Sequence, residues 1–313
     1  MDAGPIPAPA ASPGSRDRLW LHALLFLLTL FTSTALGVRL AQSFRSDLPS
    51  VDVEQDWIIF LEILRSPAIL LDGLAYSLTL LAILLAHEMG HFLACRYYGI
   101  RASLPYFLPA PTFIGTLGAF IRFRSPVKSR RELFDVGIAG PLAGFVALIP
   151  ALGLGLAFSR VVPGFAEQGD VRFGLPWLLR LASGWVFPGA DPADISLHPV
   201  ARAAWVGLFA TALNLMPVGQ LDGGHLVYSA LGEKHRWVAT AFILALLPLG
   251  FVYWPWWFWA PVFFLFGRRH FAVFDNEPLG AGRRFLLLAA LVLFALCFIP
   301  APVLYNDGQG LLP

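Results

Sequence analysis

The sequence predicts an all-α integral membrane protein, a polytopic bundle of about seven transmembrane helices. Three observations lead there. Of 313 residues, 57% are hydrophobic and only 13% are charged, against about 25% charged in an ordinary soluble domain. The mean hydropathy is +0.68. Charge-free runs recur along the chain at lengths near the ~20 residues that cross a bilayer. Apolar residues at this density must face lipid, so the bilayer is the first expected partner. The same composition excludes a soluble globular domain, a disordered chain and a nucleic-acid binder. A net charge of +2 is too small to signal an acidic partner. Two cysteines, Cys95 and Cys297, cannot build a disulfide framework.

The spans follow in order. Residues 1–15 are rich in Pro, Ala, Gly and Ser and are expected to be disordered, so 1–18 is read as a cytoplasmic tail. The first apolar run, 19–38, is long for a signal peptide and is read as a signal anchor. An outer loop, 39–67, carries Asp47, Asp52, Glu54, Asp56 and Glu62. The second span begins at Gly73 and continues through His87 and Glu88 as an apolar-rich pattern to Tyr98. The third covers 136–159 and the fourth 203–221, with a second outer loop at 160–200 between them. Residues 237–267 form a run of 31 residues without charge. As one helix it would extend about 46 Å at 1.5 Å per residue, far beyond a ~30 Å hydrocarbon core. Pro248, Pro255 and Pro261 interrupt it, and Tyr253, Trp254, Trp256 and Trp257 favour a membrane–water interface. It therefore reads as two spans meeting at 253–256. The last span covers 285–306. Residues 19–313 form one membrane-embedded unit without internal repeats.

Basic residues test the count. With seven spans and a cytoplasmic N-terminus, 15 of the 22 Lys and Arg fall inside and 7 outside. Merging 237–267 into one span equalises the two sides at 11 each. The positive-inside bias favours seven. A short N-terminus without an Arg- and Ser-rich transit pattern favours a bacterial inner membrane over an organelle.

One pattern carries chemistry. His87-Glu88-Met89-Gly90-His91 is an H-E-x-x-H sequence on a predicted helix, where residues four apart share a face and two imidazoles can reach one ion. Glu88 can then act as general base toward water. Ionisable groups inside an apolar helix are costly and need partners. A catalytic zinc site takes a third protein ligand. Cys95 lies on about the same face but about 12 Å along the axis from His87. His225 is a second candidate. Asp222 fits best: it ends the fourth apolar run, on the side of the membrane that also holds His87 and His91.

These residues carry a family resemblance. His87-Glu88-Met89-Gly90-His91, with Asn214-Leu215-Met216-Pro217 and Leu221-Asp222-Gly223 far downstream, resembles the site-2 protease family of intramembrane zinc metalloproteases. Ala139-Gly140-Pro141-Leu142-Ala143-Gly144 is similar to the family's small-residue motif. The resemblance covers about residues 70–230, the expected catalytic core. Many family members have Asn-Pro where this chain has Asn214-Leu215, and many bacterial members carry a PDZ domain for which the 160–200 loop is too short. The chain thus resembles the compact branch of bacteria and plastids. The resemblance implies Zn2+ held by His87, His91 and Asp222, Glu88 as base, and Asn214 touching substrate or oxyanion. It implies hydrolysis of peptide bonds within or beside transmembrane segments, with single-span membrane proteins as substrates.

Residues 101–124 suggest how a substrate is met. Pro105, Pro109, Pro111, Gly115 and Gly118 preclude a long helix, and 114–123 suits a strand. A re-entrant β-hairpin beside His87 would present an edge to which an unwound substrate can add main-chain hydrogen bonds. Gly137, Gly140, Ala143 and Gly144 are read chiefly as helix-packing positions. Asp72 and Asp135 are read as solvated or paired carboxylates. Two other functions share the H-E-x-x-H: a different membrane metallopeptidase such as a prenyl-protein endopeptidase, and a non-catalytic scaffold or transporter with structural zinc.

Overall fold

The computed structural model describes residues 18–48, 58–112, 114–165, 171–266, 273 and 277–305. The expected tail at 1–15, the acidic residues Asp52, Glu54 and Asp56, and the basic pair Arg268 and Arg269 lie outside these residues. The elements run α1 Leu19–Arg45, α2 Ile58–Arg65, α3 Leu70–Tyr97, β1 Tyr106–Pro109, β2 Thr116–Phe120 and α4 Arg130–Ala157. Then come β3 Arg160–Val161, β4 Val171–Phe173, α5 Trp177–Val186, β5 Ile195–Ser196 and α6 Pro199–Asn214. The last are α7 Asp222–Leu231, α8 His235–Leu249, α9 Pro255–Phe266, α10 Ala281–Cys297 and β6 Val303–Tyr305.

Among the described residues, three helices are long and apolar enough to cross a membrane: α1, α3 with its short 3-10 lead-in from Pro67, and α4. They cover most of the first three predicted spans: α1 runs on to Arg45, while α3 and α4 begin before theirs and end one and two residues short. Helix α4 starts six residues before the predicted span because Ser129 caps it, accepting a hydrogen bond from the Glu132 N–H at 3.1 Å. Glu132 returns the contact by accepting from the Lys128 N–H at 3.0 Å, a variant of the reciprocal Ser-x-x-Glu cap.

The later runs are helical but shorter than predicted. The fourth, expected as one span over 203–221, stops at Asn214. Pro217 cannot donate to a helix ladder and disfavours helical backbone at Met216, and Gly219 takes φ +56°. Residues 215–221 make the turn that leads into α7. The 31-residue run is two helices: α8 of 15 residues and α9 of 12, packed together across a turn at 250–254. The final run ends as helix at Cys297. Pro300 and Pro302 follow, and Val303–Tyr305 pairs antiparallel with Val171–Phe173 instead. The chain is thus not purely helical: among the described residues, three two-stranded sheets accompany the helices.

Packing centres on α3, with α1 and α4 against it on different faces and α6 against both α3 and α4. The α1–α3 contact is backbone-close, since a Cβ on either Gly37 or Gly73 would strike the other helix's main chain. The expected hairpin is present. Strands β1 and β2 pair antiparallel with Tyr106 opposite Phe120, Phe107 opposite Ala119 and Pro109 opposite Thr116, with a bulge between the last two pairs. Its tip is tied to the middle of α1 and the second turn of α3. Thr32 donates to the Gly115 carbonyl at 2.7 Å, and the Tyr76 hydroxyl donates to the Ile114 carbonyl at 2.8 Å. The hairpin's ties to α3 run from Tyr76, which bonds Ile114, to Glu88, which bonds the Ile121 main chain, about 18 Å of helix. His22 of α1 holds the first strand's approach through Nδ1, 3.0 Å from the Pro105 carbonyl.

Candidate metal centre

Two elements supply the centre, and a third presses on them. Helix α3 carries His87, Glu88 and His91, all less than 8% exposed. Asp222 is the first residue of α7, where the positive end of the helix dipole suits a carboxylate. The turn through Pro217 and Gly219 swings that carboxylate back onto α3. Its Oδ2 lies 3.2 Å from His87 Nε2 and its Oδ1 lies 3.3 Å from His91 Nε2. The two histidine Nε2 atoms are 3.1 Å apart. Among the described residues these three form the one His/Cys/Asp/Glu group whose ligand atoms lie within 4.8 Å of one another.

The chemistry of the set fits a cation. His91 Nδ1 stands 2.7 Å from the Val136 carbonyl. A carbonyl only accepts, so Nδ1 carries the proton, and a neutral ring then turns a lone pair at Nε2 toward its neighbours. Asp222 Oδ2 is buried without a hydrogen bond. With His91 protonated at Nδ1, its Nε2 and Asp222 Oδ1 turn only lone pairs toward each other at 3.3 Å, a pair that a divalent ion with N and O preference would satisfy.

Helix α4 shapes the pocket by what it lacks. A Cβ on Gly140 would run into the His91 imidazole, and one on Gly144 would meet His87 Cβ at 3.1 Å and Nδ1 at 3.3 Å. The small residues read from sequence as packing positions thus pack on the two imidazoles themselves. The Val136 carbonyl is the partner that sequence reading missed. A main-chain acceptor leaves no side-chain signature.

A cavity of about 310 Å³ opens over these groups. The hairpin side contributes Ala119, Phe120, Ile121 and Phe123, and α6 and the following turn contribute Asn214 and Gln220. Glu88 lines this space and accepts a hydrogen bond from the Ile121 main chain. Asn214, the last residue of α6, sets its Nδ2 3.3 Å from His87 Nε2. The other two ligand candidates fall elsewhere. His225 lines the cavity beside Gly137 but is outside the three-residue group. Cys95 is buried in an apolar cluster with Ile100, Leu133 and Tyr228. Asp72 and Asp135 are paired, with Arg45 at 2.6 and 2.8 Å and with Arg283 at 2.7 and 2.8 Å.

The sequence is similar to those of plant proteins. It is 30% identical over 305 residues to the rice protein named probable zinc metalloprotease EGY1, chloroplastic, covering 90% of this chain and 51% of that one. The Arabidopsis thaliana protein of the same name is 34% identical over 236 residues, 69% of this chain and 41% of its own. Probable zinc metalloprotease EGY2 of Arabidopsis thaliana is 30% identical over 309 residues, 94% of this chain and 51% of its own. The chain spans about half the length, or less, of these relatives. The model of peptidase family M50 matches residues 75–252, a stretch that contains all of His87, Glu88, His91, Asn214 and Asp222. With more than half of its length matched by that model, the chain belongs to peptidase family M50, the site-2 protease family.

Proposed function

We propose that this protein is an intramembrane zinc metalloprotease that hydrolyses peptide bonds within or beside transmembrane segments of membrane-protein substrates, single-span proteins foremost. The observation that carries the reading is the meeting of two imidazole nitrogens and a carboxylate from separate helices, with Glu88 beside them, in a cavity walled by the hairpin. His87, His91 and Asp222 hold the ion. Zinc supplies Lewis acidity there, making water a nucleophile near neutral pH and polarising a carbonyl. Glu88 accepts the proton of the attacking water and passes it to the leaving nitrogen. Its hydrogen bond from Ile121 keeps the carboxylate turned into the cavity. The Asn214 amide donates to the developing oxyanion, a contact type worth about 3–4 kcal/mol.

A transmembrane substrate arrives as a helix whose peptide bonds are shielded by their own hydrogen bonds, so cleavage requires local unwinding. The hairpin offers the unwound stretch a strand edge, which compensates the lost helical bonds in a medium where unpaired backbone is costly. The whole unit, 19–313, functions as one domain with seven spans. The metal centre sits toward the cytoplasmic side, where basic residues concentrate.

Metal analysis of the purified protein, joined to cleavage of a panel of single-span substrates, tests the reading. Wild type and Glu88→Gln are both expected to hold about one zinc per chain, and only wild type is expected to cleave. Asp222→Ala is expected to lose the metal. Retained zinc in Asp222→Ala would favour another membrane metallopeptidase. Retained cellular function in Glu88→Gln would favour a scaffold.

A further inference from the structure

Helix α10 contributes nothing to the cavity, yet it grips the helix that holds a metal ligand in place. Arg283, in the first turn of α10, forks onto Asp135, donating from Nε to Oδ1 at 2.8 Å and from Nη2 to Oδ2 at 2.7 Å. The Tyr98 hydroxyl, at the end of α3, donates to the same Oδ2. Asp135 is followed by Val136, whose carbonyl accepts from His91 Nδ1 at 2.7 Å. Tyr98 follows His91 by seven residues, two helical turns, and so lies on nearly the same face of α3. Helices α3 and α4 are therefore clasped twice by adjacent residues of α4: Val136 takes His91, and Asp135 takes Tyr98. The fork geometry matters, because a bidentate Arg–carboxylate pair fixes orientation as well as distance. It is only partly buried, with side chains 30% and 24% exposed, so stability alone is a weak reason for it.

We propose that Arg283, Asp135 and Tyr98 are positioning residues for the metal centre: the cluster fixes the register of α4 against α3, so that the Val136 carbonyl holds the His91 ring with Nε2 toward the ion. The inference rests on the metalloprotease reading and makes α10 part of the catalytic apparatus. Partners that orient a ligating histidine typically change metal affinity by about 10–100-fold when removed. A second ion pair on α4 joins Arg131 to Glu277 at 2.9 Å, one turn before Asp135, and serves as the control.

The test compares full-length wild type with Arg283→Gln, Arg283→Lys, Tyr98→Phe and Arg131→Gln. It reads zinc affinity by chelator competition, the visible spectrum of the cobalt-loaded protein, and kcat and KM separately. Arg283→Gln is expected to bind zinc about tenfold or more weakly, to shift the cobalt bands, and to lower kcat with KM nearly unchanged. Arg283→Lys restores the charge without the fork and is expected to recover part of the affinity. Tyr98→Phe is expected to lose less than Arg283→Gln, and Arg131→Gln to bind as wild type does. If Arg283→Gln does not fold, Arg283→Lys and Tyr98→Phe carry the test, and wild-type affinity and spectrum in both would overturn the proposal. So would an Arg283→Gln protein that melts earlier yet binds zinc and colours with cobalt as wild type does. A wild type that binds no zinc overturns the metalloprotease reading and this inference together, whereas wild-type binding with unaltered variants overturns this inference alone.

Discussion

At Gly140 a single methyl group decides whether His91 keeps its place. The imidazole occupies the space a Cβ would need, and pushing the ring away from α4 would break its hydrogen bond to the Val136 carbonyl of that same helix. Gly140→Ala is expected to cost at least tenfold in zinc affinity, read by chelator competition. Gly144→Ala meets His87 at 3.1 Å or more and is expected to cost less, because the neighbour needs to yield only a few tenths of an ångström. The ligand set is checked in the same assay: Asp222→Ala loses the metal, while His225→Ala retains it. Of these residues the sequence made His87, Glu88, His91 and Asp222 legible, since ionisable groups in apolar runs stand out against the cost of burying them. The meeting of Gly140 with His91 was not legible. It depends on the antiparallel register of α3 and α4, which sets which glycine faces which ring.

Among the elements, the hairpin depends most on its anchors. Gly115 adopts φ +80°, and a Cβ there would fall 2.6 Å from Ser33 Cα on α1. Gly115→Ala is therefore expected to lift the tip from α1 and lower cleavage while leaving zinc content intact, a split that separate metal and activity assays reveal. Tyr76→Phe leaves the Ile114 carbonyl without its hydrogen-bond partner. About 1 kcal/mol of stability should be lost, visible as a lower midpoint in detergent denaturation. The hairpin's existence was readable from Pro, Gly and β-branched residues at 105–123. Its attachment to α1 and α3 was not, because Thr32, Ser33 and Tyr76 look from sequence like ordinary residues of two spans. The fourth run misled in the opposite direction. Hydropathy alone runs smoothly through 203–221, and Pro217 breaks it where the backbone must turn to bring Asp222 home.

For the whole molecule, the seven-span reading makes a topological prediction. Helices α6, α8, α9 and α10 have 16, 15, 12 and 17 residues, short for a ~30 Å core, so their assignment as spans needs a measurement. With Cys95 and Cys297 replaced by Ala, a cysteine placed at Trp254 is expected to react with an impermeant thiol reagent from the side opposite to one placed at Lys128. Labelling of both from one side would make α8 and α9 a re-entrant or surface pair, and no labelling at 254 would favour a single crossing.

By itself the sequence determined the membrane class, the order of the apolar runs, the split near residue 254, the hairpin segment and the identities of the metal-ligating candidates. All are local quantities: hydropathy, helix-breaking residues, and ionisable groups where water is scarce. Only the tertiary structure decided which carbonyl aims His91, which glycines make room for the rings, and that Arg283 of α10 reaches Asp135. Those contacts join residues tens to hundreds of positions apart, and they follow from helix register and from the turn at Pro217, which no local pattern encodes.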